Sequence, residues 1–373
     1  MADGQRRFLR LGKLFLLTIL PVGLLAVAAE ACATMSISRR GETVVDSATG
    51  RGVYTMRIGR WPWSRVAVTP LNSLGYPDEE FPLADSESSC ARVVMAGDSF
   101  VLGDGVDRDS NFVEIVRRSA PTLADGRCLR FYNLGVRGTT IDRQSEAISA
   151  TLDRLQPHIV ILTQYQNDLT DLTNPGAILD PDRERNRVRR TADSIRVQMA
   201  IFNANIIKML TYQSFALMIR TGASRDLLSR WSVMANPDRA ADARKYQETY
   251  SGLYGDLVRS LRGRGIAFGV IVIPSKLDVL AKRFPEEAFF LELANRHQVP
   301  ALRLFPVLDA RRRPYAFLTY DGHLNEHGNR LVAAEVSRWL FAQEPAPFPF
   351  LRQGTETPAS PISKSQTPRR LSR

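Results

Sequence analysis

Ser99, Asp321 and His323 are the residues whose types and surroundings could do chemistry in this chain. Ser99 stands in Gly97-Asp98-Ser99-Phe100, directly after the apolar run Val93 to Ala96, which reads as a strand buried on both faces. A serine where a buried strand turns towards a helix has its hydroxyl at the carboxyl edge of a sheet, where open α/β sheets place their ligand sites. Gly-Asp-Ser is also ordinary turn chemistry, so the rest of the chain has to decide. Acyl transfer needs a nucleophile, a base that takes its proton, and donors for an oxyanion. His323 is the best base of the four histidines. His297 lies within a helical pattern, His158 at the start of a strand, and His327 at the start of the last helix. Asp321 is two positions before His323, so in an extended segment both side chains leave one face and the carboxylate can fix the imidazole tautomer.

The expected oxyanion donors are the Ser99 amide, the Gly135 amide and the Asn167 side chain, with Gly135 suiting a close approach of backbone to ligand. Asp98, Asn133 and Asp168 stand beside them as candidates for contacting substrate. Taken singly, Asn133, Asn167 and Asp321-Gly322 read as turn or capping residues. Their common placement, at strand ends or just before the last helix, carries the reading.

The elements that must position these residues follow a βα rhythm from residue 90 onwards. Strands are expected at Leu129 to Asn133, Ile159 to Leu162, Ala267 to Ile273 and Ala301 to Phe305, after the one that ends before Ser99. Helices are expected near Asn111–Ser119, from Thr139 or Thr140 to Leu155, near Ala243–Arg262, Glu286–His297 and Glu326–Phe341. Repeated buried strands alternating with helices mean a mostly parallel sheet in a three-layer α/β/α fold. One catalytic domain is expected over 89–343, interrupted by a helical insertion at 174–243 that is too long for a simple crossover. Residues 34–88 read as a lead-in that packs on the domain, and 344–373 as a disordered basic tail.

The chain has 373 residues, 44% of them hydrophobic and 24% charged, enough for a sizeable core. Its net charge of +11 invites a nucleic-acid reading, but the arginines are scattered rather than gathered on one periodic face, so no nucleic-acid partner is expected. Arg6, Arg7, Arg10 and Lys13 instead precede the apolar run Leu14 to Ala29. Residues 1–33 therefore read as a signal anchor or a cleaved signal peptide, with everything after them exported to the periplasm or beyond. Of the three cysteines, Cys90 and Cys128 each precede a strand. If those strands are parallel neighbours, an oxidising compartment makes a bridge and two separate buried thiols equal alternatives. Three cysteines and four histidines show no metal-ligand spacing, and no glycine-rich phosphate loop is present, so neither metal nor cofactor is expected.

Four blocks in order resemble the SGNH (GDSL-type) hydrolases. They are Gly97-Asp98-Ser99-Phe100 with Gly103 and Gly105, Asn133-Leu134-Gly135-Val136-Arg137-Gly138, Asn167-Asp168, and Asp321-Gly322-His323-Leu324-Asn325 with Gly328. The resemblance spans roughly residues 71–342 and implies a flavodoxin-like sheet and a metal-free Ser-His-Asp mechanism. Tyr165 stands where the third block normally carries a glycine, and would narrow or reshape the site. The single residue between Asp321 and His323, and Pro274-Ser275-Lys276 after the fourth strand, are similar to membrane-anchored members such as the alginate O-acetylation proteins, with Lys276 lining the site. Three readings follow. The first is an esterase acting on O-acyl groups, including acetyl esters of envelope polysaccharide. The second is an O-acyltransferase using the same residues with a membrane acyl-donor protein. The third is a non-catalytic carbohydrate-binding relative.

Overall fold

The computed structural model describes residue 17 and residues 20–37, 39–82, 89–172, 239–281, 285–309, 316–318, 321–342 and 346–351. Five strands form one parallel sheet: β4 (Cys90–Gly97), β5 (Cys128–Gly135), β6 (Ile159–Tyr165), β7 (Ala267–Ile273) and β8 (Ala301–Arg303). Their spatial order is β5-β4-β6-β7-β8, so the chain winds one way after β4 and the other way after β5. The winding reverses between the first and third strands of this sheet, and the carboxyl ends of β4 and β6 flank the crevice that such a reversal opens. All eight residues of β4 are buried, because helices cover both faces of the sheet.

On one face α1 (Phe112–Arg118) and α2 (Glu326–Leu340) bury Phe112, Val113, Val116, Val332, Val336 and Leu340 against Val93, Met95 and Phe131. On the other, α3 (Ile141–Leu155), α4 (Arg239–Gly263) and α5 (Pro285–Arg296) bury Ile148, Leu152, Tyr250, Tyr254 and Phe290 against Val94, Val160 and Val270. Asn111 caps α1 by accepting from the Val113 amide, and Asn325 caps α2 by accepting from the Gly328 amide. Thr140 stands at the head of α3, but its hydroxyl donates to Asp142 instead of capping the helix. Cys90 and Cys128 are register partners at the start of β4 and β5, and they are joined in a disulfide across a Cα separation of 4.5 Å.

Three features differ from the sequence expectation. The fifth strand stops at Arg303, because Phe305-Pro306 opens a four-residue helix, Phe305–Leu308. The start of the expected tail is packed: Phe348 lies against Trp339 at 5.4 Å between ring centroids and over Gly269 of β7, and Phe348 and Leu351 join the core, since burying these apolar side chains outweighs the polar composition around them. The lead-in forms a sheet of its own. β1 (Arg39–Val45), β2 (Gly52–Ile58) and β3 (Val66–Pro70) pair antiparallel, and Tyr54, Met56, Ala67 and Leu71 pack with Leu102.

Most of the expected insertion, up to residue 238, and the tail beyond residue 351 lie outside the described residues. The expected N-terminal apolar segment begins outside them, and Leu20–Ile37 is a helix with Leu20, Val22, Leu24, Leu25 and Val27 exposed. Among the described residues no helix is long and apolar enough to cross a membrane.

Candidate active site

Ser99 follows β4 as the first residue of a single helical turn, Ser99–Leu102, which Asp98 caps by accepting from the Phe100 amide at 3.0 Å. Gly97 just before it must lack a side chain, because a Cβ there would press on Val101 and Thr163. His323 Nε2 lies 2.7 Å from Ser99 Oγ, and His323 Nδ1 makes a short hydrogen bond to Asp321 Oδ1. Nucleophile, base and orienting carboxylate thus stand in line, with Ser99 and Asp321 buried.

Asp321 and His323 meet by a different route from the one expected. Residues 321–323 bend rather than extend, and Asp321 Oδ1 also accepts from the His323 backbone amide at 2.8 Å. A short acidic side chain turning back on the backbone two residues ahead brings the pair together. The loop is held from both sides. Leu318 N donates to His323 O at 2.9 Å, and Phe317 and Leu324 form an antiparallel bridge. Lys276 Nζ donates to Leu318 O at 2.6 Å and to Asp321 O at 3.2 Å. Lys276 therefore braces the loop that carries Asp321, which corrects its expected place as a lining residue. Burial pushes its ammonium down to about 8, partly opposed by the Asp321 charge. At His323, burial works against the charged form, but hydrogen bonding and charge from Asp321, then the charges of Asp104 and Asp98, outweigh it and raise the pKa above 6.5.

The second block is used structurally. Asn133 is buried and fully engaged: its backbone amide donates to Asp78 Oδ2 at 2.7 Å, its Nδ2 to Val101 O at 2.9 Å, and its Oδ1 accepts from the Gly135 amide at 2.8 Å. The Gly135 amide is thereby occupied within the protein, not open to an oxyanion. Gly135 is needed for a different close approach, since a Cβ there would overlap Leu102 N and Val101 C. Asn133 and Gly135 join β5 to the Ser99 turn, a correction to both expectations. Asp168 is likewise buried and accepts from the Tyr165 amide at 2.9 Å, and Asp98 spends one oxygen on the cap.

Asn167 opens the helical turn Asn167–Asp171 just past β6, whose Leu162 pairs with Ala96 of β4, so it stands at the same sheet edge as Ser99. Tyr165 packs on Phe100 at 4.5 Å between ring centroids, and Phe100 in turn on His323 at 4.9 Å. A side chain at Gly322 would begin 3.6 Å from the Tyr165 hydroxyl, so the tyrosine walls the site beside the His323 loop. His158, at the opposite end of β4, accepts from the Arg92 amide and takes no part.

One residue at the site escaped sequence reasoning. Asp104 is 2% exposed, and its Oδ2 lies 3.8 Å from His323 Nε2. Tyr54 of β2 donates a short hydrogen bond to Asp104 Oδ1, and Arg137 Nε stands 3.3 Å from Oδ2. The signal available was the glycine on either side of it, Gly103 and Gly105.

A family model described as GDSL-like lipase/acylhydrolase matches residues 93–336, which take in Ser99, Asn133, Asn167, Asp321 and His323. No curated protein matches the chain. Among solved structures, the chain is similar to a lipolytic protein of the G-D-S-L family from Desulfitobacterium hafniense DCB-2, with 13% identity over 66% of this chain and 98% of that one, at a TM-score of 0.37. It is similar to the psychrotrophic esterase EstA from Pseudoalteromonas sp., with 11% identity over 67% and 98% at a TM-score of 0.38. A catalytic mutant of Axe2, an acetylxylan esterase from Geobacillus stearothermophilus, matches with 11% identity over 67% and 94%, also at 0.38.

Proposed function

The chain belongs to the GDSL-like lipase/acylhydrolase family, and from that premise we propose that it is a serine-dependent esterase that removes short O-acyl groups, acetyl above all, from an exported carbohydrate. The observation that carries the reading is the alignment of Ser99 Oγ, 2.7 Å from His323 Nε2, with Asp321 on the far ring nitrogen. Ser99 Oγ attacks the ester carbonyl as its proton passes to His323 Nε2. The tetrahedral oxyanion is held by the Ser99 amide and the Asn167 side chain. On collapse, the alkoxide of the sugar leaves with the proton from His323, and Ser99 carries the acyl group. A water then gives its proton to His323 and attacks the acyl carbonyl. Ser99 regains a proton as the free acid departs.

Tyr165 against Phe100 and beside Gly322 supports a short acyl group, because the aromatic pair fills space that a long chain would need. Export is supported by the basic residues ahead of the Leu14–Ala29 run and by the Cys90–Cys128 disulfide, which persists in oxidising compartments. The test is hydrolysis of p-nitrophenyl acetate and of longer p-nitrophenyl esters, with Ser99→Ala alongside and fluorophosphonate labelling of both. Release that needs Ser99 and falls with chain length is expected. Release unchanged in Ser99→Ala, or no labelling of wild type, rejects the mechanism. Transfer of acetyl to an added sugar in preference to water would replace the esterase with the acyltransferase.

A further inference from the structure

The reaction steps above give no part to Gly103-Asp104-Gly105, although it follows the Ser99 turn directly. Gly103 has φ of 91° and Gly105 of 87°, so the backbone enters the left-handed region on both sides of a single carboxylate. A Cβ on Gly103 would also strike Asn111, and one on Gly105 would displace the end of the Leu318 side chain. The Gly103 and Asp104 amides both donate to Ser99 O, at 3.0 and 2.9 Å, which ties the excursion to the nucleophile itself. Asp104 is carried inward as a result, and its Oδ2 stops 3.8 Å from His323 Nε2. That nitrogen faces Ser99, on the side of the ring away from Asp321.

A buried carboxylate needs partners, and Tyr54 and Arg137 would satisfy one anywhere in a protein. A structural clamp explains those two contacts. It leaves unexplained why the clamped carboxylate ends beside the one nitrogen that must accept a proton. Tyr54 is itself fixed, buried in the antiparallel sheet with Met56 and Leu71, and a side chain on Gly41 would collide with its hydroxyl.

We propose that Asp104 is a positioning residue for His323, stabilising the imidazolium from the Nε2 side, and that Tyr54 holds it there, so that the antiparallel sheet is part of the working site. This rests on the reading of Ser99 and His323 given above. When Ser99 gives up its proton, positive charge appears on the ring between two carboxylates, Asp321 at Nδ1 and Asp104 near Nε2. The hydrogen bond from Tyr54 holds the Asp104 carboxylate in place, and the Arg137 guanidinium beside it moderates its field. Among the described residues, the charges that act on His323 are Asp321 from its own loop, Asp104 from the glycine-flanked turn and Asp98 from the end of β4. Lys276 stands behind them on the Asp321 carbonyl. The raised pKa of His323 accords with this arrangement.

The test is titration of the His323 side chain by NMR in the full chain with 15N-labelled histidine, for wild type, Asp104→Asn and Tyr54→Phe, together with fluorophosphonate labelling rates against pH. Asp104→Asn should weaken the proton affinity of His323 about tenfold, and the acid limb of labelling should move down in pH with it. Tyr54→Phe should shift both in the same direction by a few-fold. An unchanged His323 titration in Asp104→Asn overturns the role of Asp104, even if activity falls. A shift in Asp104→Asn with none in Tyr54→Phe overturns the part given to the sheet. If Asp104→Asn does not fold, Tyr54→Phe carries the test alone, and no shift there overturns the proposal. The titration reads the resting protein, so a wild type that fails to label would reject the Ser99 mechanism and still leave this coupling measurable.

Discussion

The two sheets of this molecule reach the same serine by opposite means. The parallel sheet is buried on both faces and sets position: Ser99 and Asn167 sit where they do because β4 and β6 end side by side. The antiparallel sheet packs one face through a handful of side chains and reaches the site with one of them, Tyr54, by way of Asp104. Backbone pairing in a covered sheet places residues to within a fraction of a residue step and is insensitive to any one side chain. A hydrogen bond donated by one hydroxyl of the small sheet to a carboxylate in the turn after β4 acts on charge, and one substitution removes it. The first sheet builds the geometry of the site, and the second acts on its electrostatics.

Substitutions can break or sharpen this contrast. The largest effect is expected at the geometric centre. Asp321→Asn should lower kcat for p-nitrophenyl acetate about a thousandfold or more, because the amide presents the wrong partner to Nδ1 while the fold persists. A loss below tenfold would mean that the turn at 321–323 does not orient His323. Next is the disulfide that pins the first residues of β4 to β5. The bridge closes a separation of 38 residues, and the chain-entropy relation gives about 4 kcal/mol for it. Cys90→Ser with Cys128→Ser should lower the denaturation midpoint accordingly and leave the acid limb of activity in place. A moved acid limb would show that the parallel sheet also governs the charge on His323.

Met56→Ala removes a fully buried side chain from the small sheet and should cost about 2–5 kcal/mol there. Hydrogen exchange should quicken in β2 well before β4, since the two sheets have separate cores. Equal acceleration in both would merge them into one cooperative unit. The smallest effect is a displacement on the pH axis. His323 must be neutral to take the Ser99 proton, and its pKa is raised, so activity should be present at higher pH and fall as pH drops through a midpoint above 6.5. A midpoint below 6.5 would mean that burial outweighs the three carboxylates.

Much of the scaffold was legible in advance because its signals are local. Runs such as Val93 to Ala96 and Ile159 to Leu162 mark strands covered on both faces, and the spacing of Tyr250, Leu257 and Leu261 marks a helix face, whatever the rest of the chain does. Polar residues directly after such runs fall at the sheet edge by topology alone, which is how Ser99 and Asn167 could be singled out. The antiparallel sheet was legible only in part: Val53 to Ile58 reads as an extended piece and is most of β2, but its two partner strands and their pairing do not show in the sequence. Its strands carry Gly52, Thr55 and several arginines, and a sheet that buries one face on a few residues leaves only a weak alternation.

Side-chain partners were the least accessible. Asn133 and Gly135 invite a ligand-binding reading because both residue types serve ligands, yet Asn133 takes Asp78 from 55 positions earlier and closes on the Gly135 amide. The meeting of Tyr54 with Asp104 spans 50 positions and joins the small sheet to the turn after β4, and it depends on how the two pack.

By itself, the sequence determined the order of strands and helices, the parallel α/β class and the edge of the sheet where chemistry would sit, because apolar periodicity within a few residues dictates which faces must be buried. Only the tertiary structure decided which polar groups remain open to a substrate and which are spent on the protein, and that a tyrosine of the small sheet stands behind the carboxylate beside His323. Hydrogen bonds and charges act over a few ångströms, and no pattern along the chain specifies which residues far apart in sequence come within that distance.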